Sequence, residues 1–155
     1  SVRTITAPEQ VAAALRLSKR ARVYRAATLA TRNGGPFAHT VSYVPETLGL
    51  VFTRVQLQEK PMLLLLDEAG VEMDHGAQFP GARPASPDSA FLLEIPPKTP
   101  LVHIYRTLYD KRGHGVEHVA AQFPWNRYEY EIQLSDLHGE KVLRRSKRPK
   151  PLLPR

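Results

Sequence analysis

The sequence predicts an α+β domain, a mostly antiparallel sheet with flanking helices, assembled from two halves of one design. Three observations carry this. Apolar and polar residues alternate over short segments bounded by Gly, Pro, Asn and Asp, the pattern of half-buried strands. Segments with a helical apolar period separate them. The order helix, strand, turn, strand, proline then occurs twice: Pro8 to Pro45 and Pro87 to Pro124 are both 38 residues long, and an offset of 79 aligns Pro8 with Pro87, Lys19 with Lys98, Val23 with Val102, Gly34 with Gly113 and Pro45 with Pro124. Two copies are too few for a solenoid, so the pseudo-repeated helix–hairpin halves are expected to share one core, with a cleft where they meet.

The elements follow in order. Thr6-Ala7-Pro8-Glu9 reads as a capping box that opens a helix through Leu17, with Val11, Ala14 and Leu15 on one side. Strands are expected at about Arg22 to Thr31 and Phe37 to Val44, joined by the turn signal RNGGP. A second helix is expected from Glu59 to Ala69, stopped by Gly70, its leucines filling core. An extended stretch from Val71 to Phe79 leads to Ser86-Pro87-Asp88, which starts a helix running through Glu94. A strand containing Val102 to Leu108, the turn cluster Asp110-Lys111-Arg112-Gly113 and a strand from Val116 to Phe123 form a hairpin. The last strand, Arg127 to Leu134, alternates Tyr128, Tyr130, Ile132 and Leu134 and ends the sheet with an edge that needs covering.

His114 to His118 reads HGVEH, the inverted zinc-protease signature, in which two histidines one helical turn apart hold the metal. That chemistry needs a helix, and Gly115, Val116 and Val119 favour a strand. At a rise of ~3.3 Å per residue a strand sets the histidines roughly 13 Å apart and turns Glu117 to the opposite face. The match is therefore read as chance, with no metal expected.

The strand reading raises a sharper question. Glu117 shares its face with Val119, Ala121 and Phe123, and Arg106 shares its own with Val102, Ile104 and Leu108. If Lys111 to His114 closes the hairpin, Leu108 faces Glu117, Asp110 faces Gly115, and Arg106 stands diagonal to Glu117 within reach. The two charges are either a structural ion pair or ligand-binding groups at a cleft, since ionisable groups on apolar faces are costly without a partner or a task.

Composition bounds the rest. A length of 155 residues with 42% hydrophobic content suffices for one domain with a real core. No run reaches the length of a membrane span, and no secretory signal opens the chain. Without cysteine there is neither a disulfide framework nor a thiol nucleophile. Of the formal charge of +7, the segment from Glu140 to Arg155 carries +6, as seven cations against one acid, so the body at residues 1–139 is nearly neutral. The tail at residues 140–155, with Pro149, Pro151 and Pro154, is expected to be a solvated basic end. No aromatic interleaving or recognition helix supports reading of DNA bases. The chain begins at Ser1 rather than Met, as expected of a piece of something longer.

Two stretches carry a family resemblance: APEQVAAALRL before RVYRAATLATRNGGPFAHTVSYVP, and ASPDSAFLLEIPPKTPLVHIYRTLYDKRGHGVEHVAAQFPWNRYEYEI. Together they resemble the UTRA domain, the effector-binding half of HutC-type GntR transcription regulators, whose fold is similar to chorismate lyase. The resemblance extends to Leu134. Its most specific part is Arg106, Tyr109-Asp110, Gly113, Val116-Glu117 and Tyr128, with Tyr43-Val44-Pro45 next. It implies a dimeric, cytoplasmic regulator in which a small molecule binds this domain and a winged helix-turn-helix upstream binds DNA. The ligand cleft is expected to be lined by Glu117, Arg106, Phe123, Tyr43, Ser42, His39 and His75, without cofactor or metal.

Several positions depart from the family pattern. Members that bind sugar phosphates commonly carry two arginines where this chain has Thr28 and Ala30; Thr40 stands where an acid is frequent, Phe123 where a tyrosine is, and Gly115 where a proline is. Losing two cations removes charge-assisted phosphate binding, so a less charged effector than a phosphosugar is expected. The alternative is a chorismate-lyase-like enzyme with Glu117 as general acid and Arg106 holding a substrate carboxylate. For that reading the sequence places no second acid–base group.

Overall fold

The computed structural model describes residues 1–32 and 34–128, together with strands Ile132–Ser135 and Val142–Arg145. Six strands form one sheet: β1 (Val2–Thr6), β2 (Arg22–Arg32), β3 (Gly35–Pro45), β4 (His75–Pro84), β5 (Pro100–Tyr109) and β6 (Gly115–Pro124). Their order is β1-β2-β3-β6-β5-β4, and every neighbouring pair is antiparallel. Four short helices flank it: α1 (Glu9–Ala14), α2 (Arg54–Glu59), α3 (Met62–Glu68) and α4 (Pro87–Leu93). Among the described residues, strands β7 (Ile132–Ser135) and β8 (Val142–Arg145) pair with each other in a separate two-stranded sheet.

The internal repeat becomes a pseudo-dyad. β3 and β6 pair at the centre with Val41 opposite Ala120, a separation equal to the repeat offset of 79. Each half ends alike, because Pro45 and Pro124 close their strands and lead into 3-10 turns, Glu46–Leu48 and Trp125–Arg127. Proline fits both places: its fixed φ suits the turn and its missing N–H would be unpaired there.

Strand alternation divides the core between the two faces. On one, Tyr24, Ala26 and Val44 pack with Phe52 and with Leu57, Met62, Leu65 and Leu66 of α2 and α3. On the other, Val11, Ala12 and Leu15 of α1 cover Val23, while Ala90 and Leu93 of α4 pack with Leu101.

Several local expectations change. Thr6 does not cap a helix; it pairs with Arg22 in β1, a strand the sequence reading lacked, and α1 starts after Pro8 with no side-chain cap and ends at Ala14 rather than Leu17. The single helix expected from Glu59 to Ala69 is two. Lys60 is extended because a residue before proline is pushed from helical dihedrals, and α3 restarts after Pro61. The capping box instead lies at Thr53, whose Oγ1 accepts from Gln56 N at 3.2 Å while Gln56 Oε1 accepts from Thr53 N at 2.9 Å.

The remaining corrections concern strands. The stretch expected from Val71 to Phe79 becomes β4, shifted to His75–Pro84, where Pro80 and Pro84 are tolerated because it is an edge strand. The strand expected from Arg127 to Leu134 is cut back: Arg127 ends a 3-10 turn, β7 begins at Ile132, and it does not join the main sheet. Tyr130 lies outside the described residues. β8 falls within the segment read as a plain tail.

HGVEH leads into a strand, β6, from Gly115 onward. Its histidines have separate partners, His114 Nδ1 at 3.1 Å from Asp110 and His118 Nδ1 sharing a hydrogen bond of 2.9 Å with Thr107. Asp110 also accepts from the backbone N–H of His114 at 2.8 Å and of Arg112 at 2.9 Å. The His114 N–H does most to hold its carboxyl below the usual range. Tyr109 rather than Asp110 pairs with Gly115, while Leu108 pairs with Glu117 as the hairpin reading requires.

Gly115 is where α1 meets the sheet. A Cβ there would lie 2.5 Å from the carbonyl oxygen of Leu15 and 2.6 Å from its Cα, obstacles of backbone rather than movable side chain. Gly115→Ala should therefore cost about 1 to 3 kcal/mol in urea unfolding, as overpacking does. An unchanged midpoint would mean that α1 moves aside freely.

Candidate functional site

Small side chains on β2 leave a space beneath the helices. Ala26 to Thr31 of β2 border it, with Ala26, Thr28 and Ala30 on the same strand face, together with Thr40 and Ser42 from β3, Glu117 and Val119 from β6 and Arg106 from β5. Leu57, Met62 and Leu63 form an apolar roof, and Ser1 and Val2 close the side at β1. Arg54, Gln58, Glu59 and Lys60 complete the wall. The cavity measures about 930 Å³, within the range of small-molecule sites.

Its polar end is made by the β5–β6 hairpin. Leu108 pairs with Glu117 and Tyr109 with Gly115, so Val116 is the extra residue of a bulge and joins the core beneath α3. The Glu117 side chain is 1% exposed, that of Arg106 20%, and Arg106 Nη2 donates to Glu117 Oε2 at 3.0 Å. Burial pushes the Glu117 carboxyl up, against the smaller lowering effects of Arg106 and of the neighbouring Ser42 hydroxyl. After that ion pair is made, Glu117 Oε1 and Arg106 Nε remain buried without a hydrogen-bond partner.

The pseudo-dyad makes this end asymmetric. Thr28 pairs with Thr40 and Arg106 with Val119, and the dyad relates Thr40 to Val119; Thr28 is thus the counterpart of Arg106. Ala38 is likewise the counterpart of Glu117. Both inner charges belong to the second half.

Of the residues expected at the cleft, Glu117, Arg106 and Ser42 line this cavity together. Phe123 shares the face of Glu117 but packs farther along β6 against Phe37, at 6.1 Å between ring centroids, and Tyr128, at 4.2 Å. Tyr43 and His39 point to the opposite face, because they are odd-numbered residues on a strand whose even-numbered Thr40 and Ser42 face the cavity. Tyr43 joins the core at α1 and lies 6.3 Å from the His118 ring. Burial, and then Arg25, lower the pKa of His39. His75 stacks on Tyr109 at 5.3 Å and bonds Asp74 at 3.0 Å, away from the lining.

Sequence reading missed the roof and the outer cations. Lys60 is held by Glu68 at 2.6 and 2.9 Å, whereas Arg54 makes no ion pair among the described residues. The usable signal is Thr53-Arg54-Val55-Gln56, a capping box, followed by Pro61; together they mark two short helices in place of one long one.

Comparison with known proteins agrees with this architecture. The UTRA domain family matches residues 1–129. A solved structure from Streptomyces coelicolor described as a transcriptional regulator is 28% identical, with a TM-score of 0.82 over 86% of this chain and 88% of that one. The ligand-binding domain of a GntR-family regulator from Bordetella bronchiseptica is 25% identical, with a TM-score of 0.76 over 87% of each chain. The effector domain of PhnF from Mycobacterium smegmatis shares the fold at 18% identity, with a TM-score of 0.71 over 82% of this chain and 78% of that one. No curated protein matches.

Proposed function

We propose that this chain, which belongs to the UTRA domain family, senses its small-molecule effector in the cavity between the sheet and α2–α3. Effector sensing within a GntR-type transcriptional regulator is the function of the domain. The observation that supports this cavity as the place is Glu117, 1% exposed, with one carboxylate oxygen unpartnered at the wall. A buried ionisable group with an unmet bond is costly unless a ligand completes it. Glu117, Arg106 and Ser42 contact the effector in this reading; Phe123, Tyr43, His39 and His75 act through packing or on the opposite face.

The effector is less charged than a phosphosugar. Thr28 and Ala30 supply no cation to the floor, Arg106 is matched by Glu117 and Lys60 by Glu68, and Arg54, which makes no ion pair among the described residues, shares the wall with Glu59. Residues 1–139 form the sensing unit and residues 140–155 a basic appendage, while a separate winged helix-turn-helix contacts DNA. The regulator works in the cytoplasm as a homodimer, the symmetry that matches two-fold operators. Among the described residues no helix is long and apolar enough to cross a membrane. The lyase reading is the weaker one, because the lining offers Glu117 no neighbouring acid–base partner of neutral pKa such as histidine.

Screening metabolites for a rise in melting temperature finds the effector, since a ligand at 100 times its Kd stabilises by about 2.7 kcal/mol. Glu117→Gln should melt close to the parent yet bind roughly ten- to a hundredfold more weakly, the worth of one hydrogen bond to a charged group. A variant that melts far lower and binds as tightly would make Glu117 architecture. Sedimentation at high micromolar concentration should find a dimer; a monomer there counts against the pairing.

A further inference from the structure

We propose that the sheet face opposite the cavity docks a second copy of this chain, each copy laying its α4 in the trough between α1 and α4 of the other. The proposal rests on the homodimer reading and names its interface. The trough floor is one register row that crosses five strands: Ala27, Val41, Ala120, Tyr105 and Phe79. Val41 and Ala120 sit on the two central strands of the sheet, yet they are only half-buried, and Phe79 is 66% exposed. An antiparallel sheet face left to water is polar in such a row. This one is apolar and aromatic throughout, the composition of an interface core.

The dimensions fit a helix. On one side α4 rests on the sheet, where Ser89 Oγ donates to Gln122 Oε1 at 2.7 Å and Ala90 and Leu93 pack with Leu101; on the other, α1 rests against Tyr43. Gln122 pairs with His39, and the four-residue step along β3 from His39 to Tyr43 sets the two sides roughly 13 Å apart, against a helix diameter of about 10 Å. Four strand spacings make the row roughly 19 Å long, enough for the 7 residues of α4 at about 1.5 Å each.

The outer side of α4 supplies the complement. Because Ala90 and Leu93 turn inward, Asp88, Phe91 and Leu92 project away from their own sheet, with Phe91 84% exposed and Leu92 38%. Its charged residues, Asp88 and the cap residue Glu94, are both acids. The sheet face instead carries Arg3, Arg25 and Arg83, which make no ion pair among the described residues, and strand parity brings no acid to it. An acidic apolar knob thus stands beside an apolar trough flanked by cations, both on one face of one molecule, as a self-complementary two-fold contact requires. Stacked face to face, two copies order a single helical layer as α1, the partner's α4, α4 and the partner's α1.

Sedimentation equilibrium of the 155-residue chain should find a dimer that Phe91→Asp weakens about a hundredfold or more, with unchanged far-UV circular dichroism because Phe91 is exposed. A second readout stands even if that variant folds poorly. The chain lacks cysteine, so Phe91→Cys mixed with Val41→Cys and a short bis-maleimide presents one thiol per molecule. Mass spectrometry should find the linkage between positions 41 and 91, which can only be intermolecular. A parent dimer that Phe91→Asp leaves intact, with no such linkage, overturns this interface, keeps the homodimer and leaves the trough to a different partner. A parent that is monomeric at high micromolar concentration overturns both.

Discussion

Arg106→Met should lower stability by about 3 to 5 kcal/mol, because removing one member of a buried pair strands the other charge. Glu117 is the stranded partner, at 1% exposure against 20% for Arg106, so the penalty falls on the carboxylate that water cannot reach. The partial exposure of Arg106 places the expected value at the lower end of that range. Replacing both residues, as Arg106→Met with Glu117→Leu, should recover most of the loss, since apolar groups of similar volume often substitute for a buried pair without net cost. The double variant would retain the fold and lose the polar end of the cavity. A single variant less than 1 kcal/mol below the parent would mean that Glu117 finds another partner, with Ser42 the nearest candidate.

The sign of the pH dependence follows from burial. The folded-state pKa of Glu117 is raised, so its contribution is full below the ordinary carboxylate range and is lost as pH rises through the folded value. Arg106→Met removes a lowering influence and raises that value further. The variant should therefore continue to lose stability with rising pH after the parent has levelled, and the two should lie closest in acid. Asp110 acts in the opposite sense. Its pKa is depressed, chiefly by the His114 N–H, so its contribution is present above the ordinary range and lost as pH falls through the folded value. Measuring each variant against the parent at every pH separates the two.

What the sequence made legible was whatever depends on period and on local pairing. The β5–β6 hairpin, the diagonal approach of Arg106 to Glu117 and the two-half plan all follow from alternation by two and from one turn cluster. The missing pieces depend on contacts distant in the chain. β1 is too short to announce itself, and Thr6 was read as a cap because the partner that claims it, Arg22, lies across a helix. The roof was drawn as a single helix because its leucines outweighed Pro61. Family likeness groups Tyr43 and His39 with Ser42, although strand parity sends them to the other side of the sheet. Applying parity to β3, anchored on Ser42, would have kept Ser42 and Thr40 and set the other two aside.

Leu66→Ala should cost about 2 to 5 kcal/mol and should be felt at the cavity as well as in the core. Leu66 is fully buried in α3, in a cluster with Tyr24, Val44, Phe52 and Val116, so truncation removes transfer energy and leaves a void. How much of the void closes depends on how far α3 can settle onto the sheet. Strand pairing fixes the floor, and Met62 and Leu63 of the same short helix roof the ligand space, so settling would narrow the cavity. Two outcomes are thus linked: a large loss of stability with near-normal effector affinity if α3 stays in place, or a smaller loss with weakened affinity if it sinks. Leu64→Ala is the control, since Leu64 is 48% exposed and its truncation should stay within about 0.5 kcal/mol of the parent. Urea unfolding gives the first quantity and effector titration the second. Leu66→Ala that leaves both unchanged would mean that α3 is not packed on the sheet as described, and the cavity would lose its roof.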